Sequence, residues 1–449
     1  MHASDSAVKE TPLPSARQTP FKGARLALIL LLTINLFNYL DRYVLAAVLG
    51  PVGDAFLSPD NPHHEALLGL LTTAFIWSYM VLGLVFGWLA DRWSRWKLVG
   101  IGVICWSLAS GASGLASTYL ILLLTRCFVG VGEAAYGPVA PAMISDLYPE
   151  RIRGRVLSWF YMAIPVGSAL GYVWGTVVAG PTFGLDWRWA FYLVVPPGLL
   201  LGLWCFFMRE PQRGQADAGT KVPHHRLSWR DYRLLLHIPS YVLNTLGMTA
   251  MTFAIGGISA LMPHYLVDFR HEPDSAKGIF GIIVAVSGLI ATLLGGITGD
   301  WLRPRFPGSY FLVSGVAMFV AFPFFLASLY APFHPFPWAW IFIFLACFFL
   351  FFNTGPTNTI LANVTHPAMR ATAFAVNIFV LHLLGDAISP TIIGGINDLT
   401  LRDGVRNMNV GFLAVSGMIL VGGVFWLWGT RYLKADTERA PLLFEEAPR

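Results

Sequence analysis

Charge is scarce in this chain. Only 12% of its 449 residues are Asp, Glu, Lys or Arg, about half the share of an ordinary soluble domain, which excludes a soluble globule. Cysteine is nearly absent too. Cys105, Cys127, Cys205 and Cys347 all fall inside apolar runs, and no pair has a metal-ligand spacing. They read as small packing residues, without disulfides or a metal site. There is no GxxxxGK[ST] loop, which argues against an ATP-driven pump, and no HExxH or Ser/His/Asp arrangement. No enzyme, catalytic residue or cofactor is expected. The doublets His63-His64 and His224-His225 stand in loops without further ligands and read as solvated. No cleavable signal is visible. The polar first 24 residues, with Pro12, Pro14 and Pro20, read as a disordered cytosolic tail.

What is abundant is apolar. Hydrophobic residues make up 55% of the chain and aromatics 14%, and the mean hydropathy is +0.60. Hydrophobic segments can be placed at 25–50, 66–90, 97–117, 119–145, 154–179 and 188–208, then 239–267, 276–302, 309–331, 337–363, 371–396 and 410–433. Each is long enough to cross a bilayer. The expected fold is an all-α membrane protein of twelve transmembrane helices in two pseudo-symmetric six-helix bundles. The expected parts are a tail (1–24), an N-terminal bundle (25–208), a linker (209–238), a C-terminal bundle (239–433) and a second cytosolic tail (434–449). Within the linker, Ser228 and Asp231 have capping-box spacing, and Trp229, Tyr232 and Leu236 share a helical face, which predicts an interfacial amphipathic helix.

Lys and Arg set the orientation. With the N-terminus inside, 23 of the 30 lie on cytoplasmic segments. Five lie outside (Arg188, Arg270, Lys277, Arg402, Arg406) and two, Arg42 and Arg126, within the membrane. Both termini are therefore expected in the cytoplasm. The net charge of +5 is spread over short loops, so no nucleic acid partner is expected.

The two halves repeat. GWLADRWSRWK, with Asp91, Arg92, Arg95 and Lys97, follows the second segment; GITGDWLRPR, with Asp300, Arg303 and Arg305, follows the eighth. Each has Gly four residues before Asp, and the two aspartates are 209 residues apart. A basic turn RIRGR (Arg151–Arg155) follows the fourth segment and is reduced after the tenth to HPAMR (His366–Arg370). Parallel six-helix repeats imply a carrier whose site lies between the halves at mid-membrane.

The fourth segment carries Arg126 and Glu133 in its interior, seven residues apart and so on one helix face, and the first carries Asp41 and Arg42. Four unpaired charges at this depth would cost on the order of 10–14 kcal/mol, so they are expected to face a watery cavity and pair. Asp41 and Arg126 lie at comparable depth and form a candidate pair, leaving Glu133 one to two turns deeper to titrate. Gly130, Gly132 and Gly137 on the same helix admit either a neighbouring helix or a bulky ligand. In the second half His382 and Asp386 are spaced i, i+4, as a proton-carrying pair or as a polar contact between the halves. Gly355-Pro356 breaks the tenth segment beside Asn353, Thr354 and Asn358, either lining the site or merely kinking the helix. In the fifth segment Pro165, Gly167, Gly171 and Gly175 favour close packing and bending.

The loop with Gly87, Asp91, Arg92, Arg95 and Lys97 resembles the signature loop of the major facilitator superfamily, with Ser94 where the family usually has Gly. NYLDRYVLAAVL (38–49), LLLTRCFVGVGEAAYGPVAPAMISDLY (122–148) and HLLGDAISP (382–390) resemble the Spinster family in a bacterial-type form. The resemblance implies proton-linked carriers of lysophospholipids or sphingolipids working by alternating access. It also implies that Asp91, Arg92, Arg95, Lys97, Asp300 and Arg303 latch the halves together. Asp91, at a helix C-terminus, needs cations or a helix N-terminus as partner.

The expectation is a proton-coupled secondary transporter for an amphiphilic lipid, monomeric, in a bacterial inner membrane. Glu133, Asp41, His382 and Asp386 would carry protons. Arg42 and Arg126, with Tyr136, Asn353 and Asn358, would hold the headgroup. The alternatives are a carrier of a small organic anion, or an uncoupled lipid scramblase or receptor on the same fold.

Overall fold

A computed structural model describes residues 23–58, 64–179, 183–217, 231–273, 275–399 and 407–444. Among these, twelve helices are long and apolar enough to span a membrane, and no strand occurs. They are α1 (Ala24–Ala47), α2 (Leu67–Ala90), α3 (Arg95–Gly114), α4 (Tyr119–Leu147), α5 (Glu150–Ala179), α6 (Arg188–Cys205), α7 (Pro239–Ser259), α8 (Ser275–Leu302), α9 (Ser309–Tyr330), α10 (Trp338–Val364), α11 (Pro367–Asp386) and α12 (Met408–Gly429). The expected fold class is met.

Side chains facing lipid are as apolar as the core, so burial of apolar area does not discriminate one helix face from another. Small residues do. On α5, Gly167, Gly171 and Gly175 let α1 approach closely: a Cβ at Gly171 would lie 2.4 Å from the Leu40 carbonyl oxygen. On α4, Gly130 lies against Phe75 and Ser78 of α2, and Gly132 against Trp106 and Gly102 of α3. For these two glycines the helix-packing reading holds. Gly137 differs, since a Cβ there would meet the Tyr79 hydroxyl at 2.3 Å.

The halves meet along α2–α11, α5–α8, α5–α10 and α4–α11. The Asp91 and Asp300 turns at the ends of α2 and α8 and the basic turns after α4 and α10 share one face of the molecule, here the basic face. The Gly355-Pro356 break fits this contact: a Cβ at Gly355 would lie 1.8 Å from Ser158 Oγ of α5. It serves both expected roles, because Asn353, Thr354 and Asn358 around it also line the space between the halves. Span α11 is interrupted by a π-turn at His382–Asp386, where Gly385 has non-helical angles (φ −98°, ψ −105°).

One expectation needs correction. Ser228 and Trp229 lie outside the described residues, and the part of the linker helix that is described, Asp231–His237, is a 3-10 helix. Its three-residue turn places Leu235 beneath Tyr232 in the interior, while Leu236 is 69% exposed. The segment packs on α7 and α11 rather than presenting one apolar stripe. The expected C-terminal tail begins as a helix, Leu433–Arg439, followed by a 3-10 turn at Ala440–Leu442. Asp436 of that helix accepts from the Ser240 N–H at the start of α7 (2.8 Å). Residues 1–22 and 445–449 lie outside the described residues.

The α3–α4 contact gives a stability test. A side chain at Gly132 meets the Trp106 backbone nitrogen at 2.5 Å, which cannot yield as a side chain would. Gly132→Val is expected to lose about 1–3 kcal/mol or more, read as a lower unfolding midpoint in detergent or loss of folded protein. Gly83→Ala, where a Cβ meets nothing within 4 Å, is expected to leave the midpoint unchanged or slightly raised. Equal midpoints for the two variants would contradict this packing.

Candidate functional site

A cavity of about 350 Å³ lies between the halves. Arg42 and Glu133 face it from the N-terminal half, and His382, Asp386, Asn353 and Asn358 from the C-terminal half. Asp41 and Arg42 are adjacent on α1, so their side chains leave the helix about 100° apart. Arg42 therefore points to the cavity and Asp41 into the N-terminal bundle.

Arg42 forms an ion pair with Glu133. Three rings surround its guanidinium, with centroids at 4.9 Å (Tyr39), 4.7 Å (Phe75) and 5.3 Å (Tyr79). This aromatic cage holds the cation without neutralising it. Glu133 is almost wholly buried, at 1% exposure.

Asp41 and Arg126 are neighbours, both buried, and neither lines the cavity. Each is bonded to its own serine. Asp41 accepts from the Ser110 hydroxyl, while Arg126 donates to the Ser113 hydroxyl and lies 5.3 Å over the Phe191 ring. Asp41 Oδ2 has no hydrogen-bond partner. Arg126 was expected to hold a headgroup; it stands instead buried inside the bundle, away from the cavity lining. Tyr136 lines the cavity with its ring, but its hydroxyl donates to the Leu31 carbonyl at 2.6 Å.

Across the cavity His382 Nδ1 lies 3.0 Å from Asp386 Oδ2 and 3.1 Å from Oδ1. The His382 ring meets the Tyr79 ring edge-on at 6.1 Å. Glu133, Arg42, Tyr79, His382 and Asp386 thus form one file of contacts from one half to the other. Asn358 Nδ2 donates to the Thr354 carbonyl (2.9 Å), and Asn353 Nδ2 to that of Leu350.

The basic face is shut. Asp91 takes a helix N-terminus as partner. It accepts from the N–H groups of Ala371 and Thr372 (3.1 Å each), from the Thr372 hydroxyl, and from Tyr232 of the linker at 3.4 Å. Its repeat, Asp300, accepts from Arg155 N–H of α5 (2.8 Å) and from Tyr310 (2.8 Å). Arg303 pairs with Glu150 across the halves. The contacts described for Arg92 and Arg95 lie within the N-terminal half and the linker. Arg92 lies over Trp88 at 4.1 Å and donates to Tyr232 (2.8 Å). Arg95 binds Asp146, Glu210 and the Pro211 carbonyl. Lys97 is exposed on the surface.

Buried crossings also come from residues outside the expected latch. Arg153 donates to Asn363 (2.6 Å), and Arg370 to Asp146 (2.7 Å). Both arginines, at 1% and 2% exposure, also grip Asp217 of the linker, at 2.6 Å and 2.9 Å. The local signal was present in the two basic turns, but not their partners. Burial raises the Asp91 carboxyl to about 7, against the pull of the hydrogen bonds from Thr372 and Ala371. Burial acts the same way on Asp217, but the charges of Arg153 and Arg370 outweigh it and hold that carboxyl below its usual range.

Residues 31–390 match the Major Facilitator Superfamily. Protein spinster homolog 3 of Danio rerio is 36% identical over 457 residues, covering 96% of this chain and 90% of that protein. Protein spinster homolog 1 of Homo sapiens is 36% identical, covering 95% and 84%. A sphingosine-1-phosphate transporter of Danio rerio is 34% identical, covering 90% and 84%. Among solved structures, a bacterial homolog of the human lysosomal transporter Spinster, inward-facing and occupied, shares 24% identity at a TM-score of 0.58, covering 95% of this chain and 98% of that one. The transporter FucP in its outward conformation shares 16% at 0.69, covering 91% and 99%.

The two aspartates at the basic face have opposite pH behaviour. Asp91 binds its proton more tightly in the shut face than in water, where a carboxyl titrates near about 3.9. Its contribution to closure is therefore full in acid and lost as pH rises through about 7. Asp217, depressed, contributes at all pH values above the ordinary carboxylate range. Spin-label distances across the basic face are expected to lengthen from acid to pH 8, and Asp91→Asn, neutral at every pH, to hold them near the acid value and flatten that dependence. Asp217→Asn is expected to lengthen them at every pH in that range. Unchanged distributions in both variants would leave the turn as a topology signal only.

Proposed function

This chain belongs to the major facilitator superfamily and, within it, to the Spinster family; it is a multi-pass membrane transporter, and on that premise we propose that it moves an amphiphilic lipid by proton-coupled alternating access. The carrying observation is the cavity's division of labour: one caged cation, Arg42, paired with a buried carboxylate, faces a His–carboxylate pair on the other half. Among the described lining residues Arg42 is the only Lys or Arg, surrounded by aromatic, amide and aliphatic side chains. A small polyanion needs several charged or hydrogen-bonding partners; a lipid with one anionic group needs few, and its tail contributes about 0.8 kcal/mol per methylene buried. A relative named for sphingosine-1-phosphate transport supports the same substrate class.

In the proposed cycle, protonation of Glu133 frees Arg42 for the anionic group, and His382 with Asp386 carries a proton on the facing half. Asp41, backed by Arg126, is a second titratable site inside the bundle, and Arg126 holds Asp41 rather than the headgroup. Asn353 and Asn358 offer amides to the headgroup, while Tyr136 supplies only its ring. The basic face is cytoplasmic on the distribution of Lys and Arg, so the shut face is the inward one. Both termini are then cytoplasmic, in a bacterial inner membrane, and the chain works as a monomer.

Glu133→Gln keeps the shape and removes the proton site. In proteoliposomes under an imposed pH gradient it is expected to abolish gradient-driven lysophospholipid flux while binding persists within a few fold. Arg42→Ala is expected to weaken binding of every anionic lysolipid by tenfold or more. Unaltered pH dependence in Glu133→Gln would move the proton role to Asp386 or Asp41. Wild-type flux that ignores the gradient would favour a scramblase, and tight binding of a short dicarboxylate an organic-anion carrier.

A further inference from the structure

A smaller cavity adjoins the central one inside the C-terminal half, among α7, α8, α9 and α10. Ile255, Ser259, Leu350 and Phe351 line both, so the two share a wall. Their chemistry differs. The central cavity carries ions and amides, whereas the side pocket has no charged or amide side chain among its described lining residues.

Its two serines do not change that. Ser259 Oγ donates to the Gly256 carbonyl (3.3 Å) and Ser328 Oγ to the Phe325 carbonyl (2.7 Å), each one turn back on its own helix. The Cys347 thiol is the remaining heteroatom of note besides the Met262 thioether. A water needs two to four polar partners, and this pocket offers it almost none. It is a space for hydrocarbon.

The two ends of the site also sit on different halves. Arg42 and Glu133 belong to α1 and α4, while the apolar pocket is built wholly from the other half and begins where the central cavity meets α7 and α10. We propose that this side pocket receives the terminal methylenes of the transported lipid's tail, so that the substrate bridges the halves, anionic group on one and tail end in the other. The assignment rests on the lipid reading above and adds to it the place of the tail. A lipid held this way ties the halves together while bound. It also gives the carrier a preferred chain length, because methylenes beyond the pocket gain nothing from it.

Filling the pocket tests this. Ala346, buried in its wall, is changed to Leu, and binding of octyl and hexadecyl lysophospholipids is measured in nanodiscs, corrected for membrane partitioning. Each methylene transferred into the pocket changes affinity roughly fourfold. Ala346→Leu is thus expected to weaken the hexadecyl lipid by tenfold or more and the octyl lipid by less than twofold. A second measurement does not depend on that variant folding. With Cys105, Cys127 and Cys205 changed to Ala, Cys347 is the single thiol, and the hexadecyl lipid is expected to slow its modification by an alkyl methanethiosulfonate where the octyl lipid does not. Hexadecyl affinity indifferent to Ala346→Leu, or Cys347 equally shielded with bilayer lipid alone, overturns the tail site while leaving lipid transport standing. Failure of both lipids to bind the wild-type protein overturns the lipid reading itself.

Discussion

A charge inside hydrocarbon has to be answered by the protein, because neither water nor lipid will do it. That constraint sorts the charges here into two kinds. Asp41 and Arg126 are answered within the N-terminal half, through Ser110 and Ser113. Such groups stay paired however the halves move. Arg42 and Glu133 are also answered within that half, but they border the cavity, where a proton or an anion can exchange for one of the partners. A single step along α1 separates the two roles, since neighbouring side chains on a helix diverge by about 100°.

The basic face shows how an internal repeat is completed by a residue outside it. Asp146 and Arg153 stand seven residues apart at the end of α4 and start of α5; Asn363 and Arg370 have the same spacing in the second half. Each arginine reaches the first member of the other pair. The exchange is symmetric in geometry but not in charge, because Asn363 is neutral where Asp146 is an anion. Arg95 adds a further cation beside Asp146. The linker supplies what is missing: Asp217 binds Arg153 and Arg370 together, and Glu210 binds Arg95. Arg95, Arg153 and Arg370 are then matched by Asp146, Asp217 and Glu210. Removing one partner of such a buried set leaves a charge uncompensated, which typically costs about 3–5 kcal/mol.

Much of this was legible in the chain, and the boundary of what was legible is physical. Apolar runs of spanning length, the 209-residue repeat of Gly-x-x-x-Asp and isolated charges are local features, so the spans, the two halves and the depth of Asp41, Arg126 and Glu133 could be read directly. Partner choice was not local. Arg370 looked like the remnant of a basic turn, yet it closes a contact 224 residues away. Asp217 sat in a stretch of Gly, Ala and Gln with nothing to mark it. Rotation about a helix axis was likewise beyond the pattern: depth placed Arg126 near the cavity, but its face turns it toward Ser113 and Phe191. The linker helix failed on period, because three residues per turn and not 3.6 decided which side chains were buried.

Helices α2 and α11 connect the cavity with the shut face. They run antiparallel and touch at two polar points, Tyr79 with His382 beside the cavity and Asp91 with Thr372 at the basic face. On α2 those points are twelve residues apart, about 18 Å along the axis; on α11 they are ten apart, about 15 Å. Between them lies Gly87, where a Cβ would stand only 2.6 Å from Ala375 Cβ, so the helices touch nearly backbone to backbone. Two contacts with a tight crossing between them behave as a lever. In the proposed cycle, protonation of the His382–Asp386 pair or arrival of an anion at Arg42 shifts the Tyr79 end, and the crossing carries the opposite displacement to Asp91. The π-turn at His382–Asp386 puts a glycine with non-helical angles, Gly385, at the cavity end of α11. There α11 can bend without disturbing the amides that hold Asp91, so in the proposed cycle the stiffness of that turn sets how firmly the cavity end is linked to the basic face.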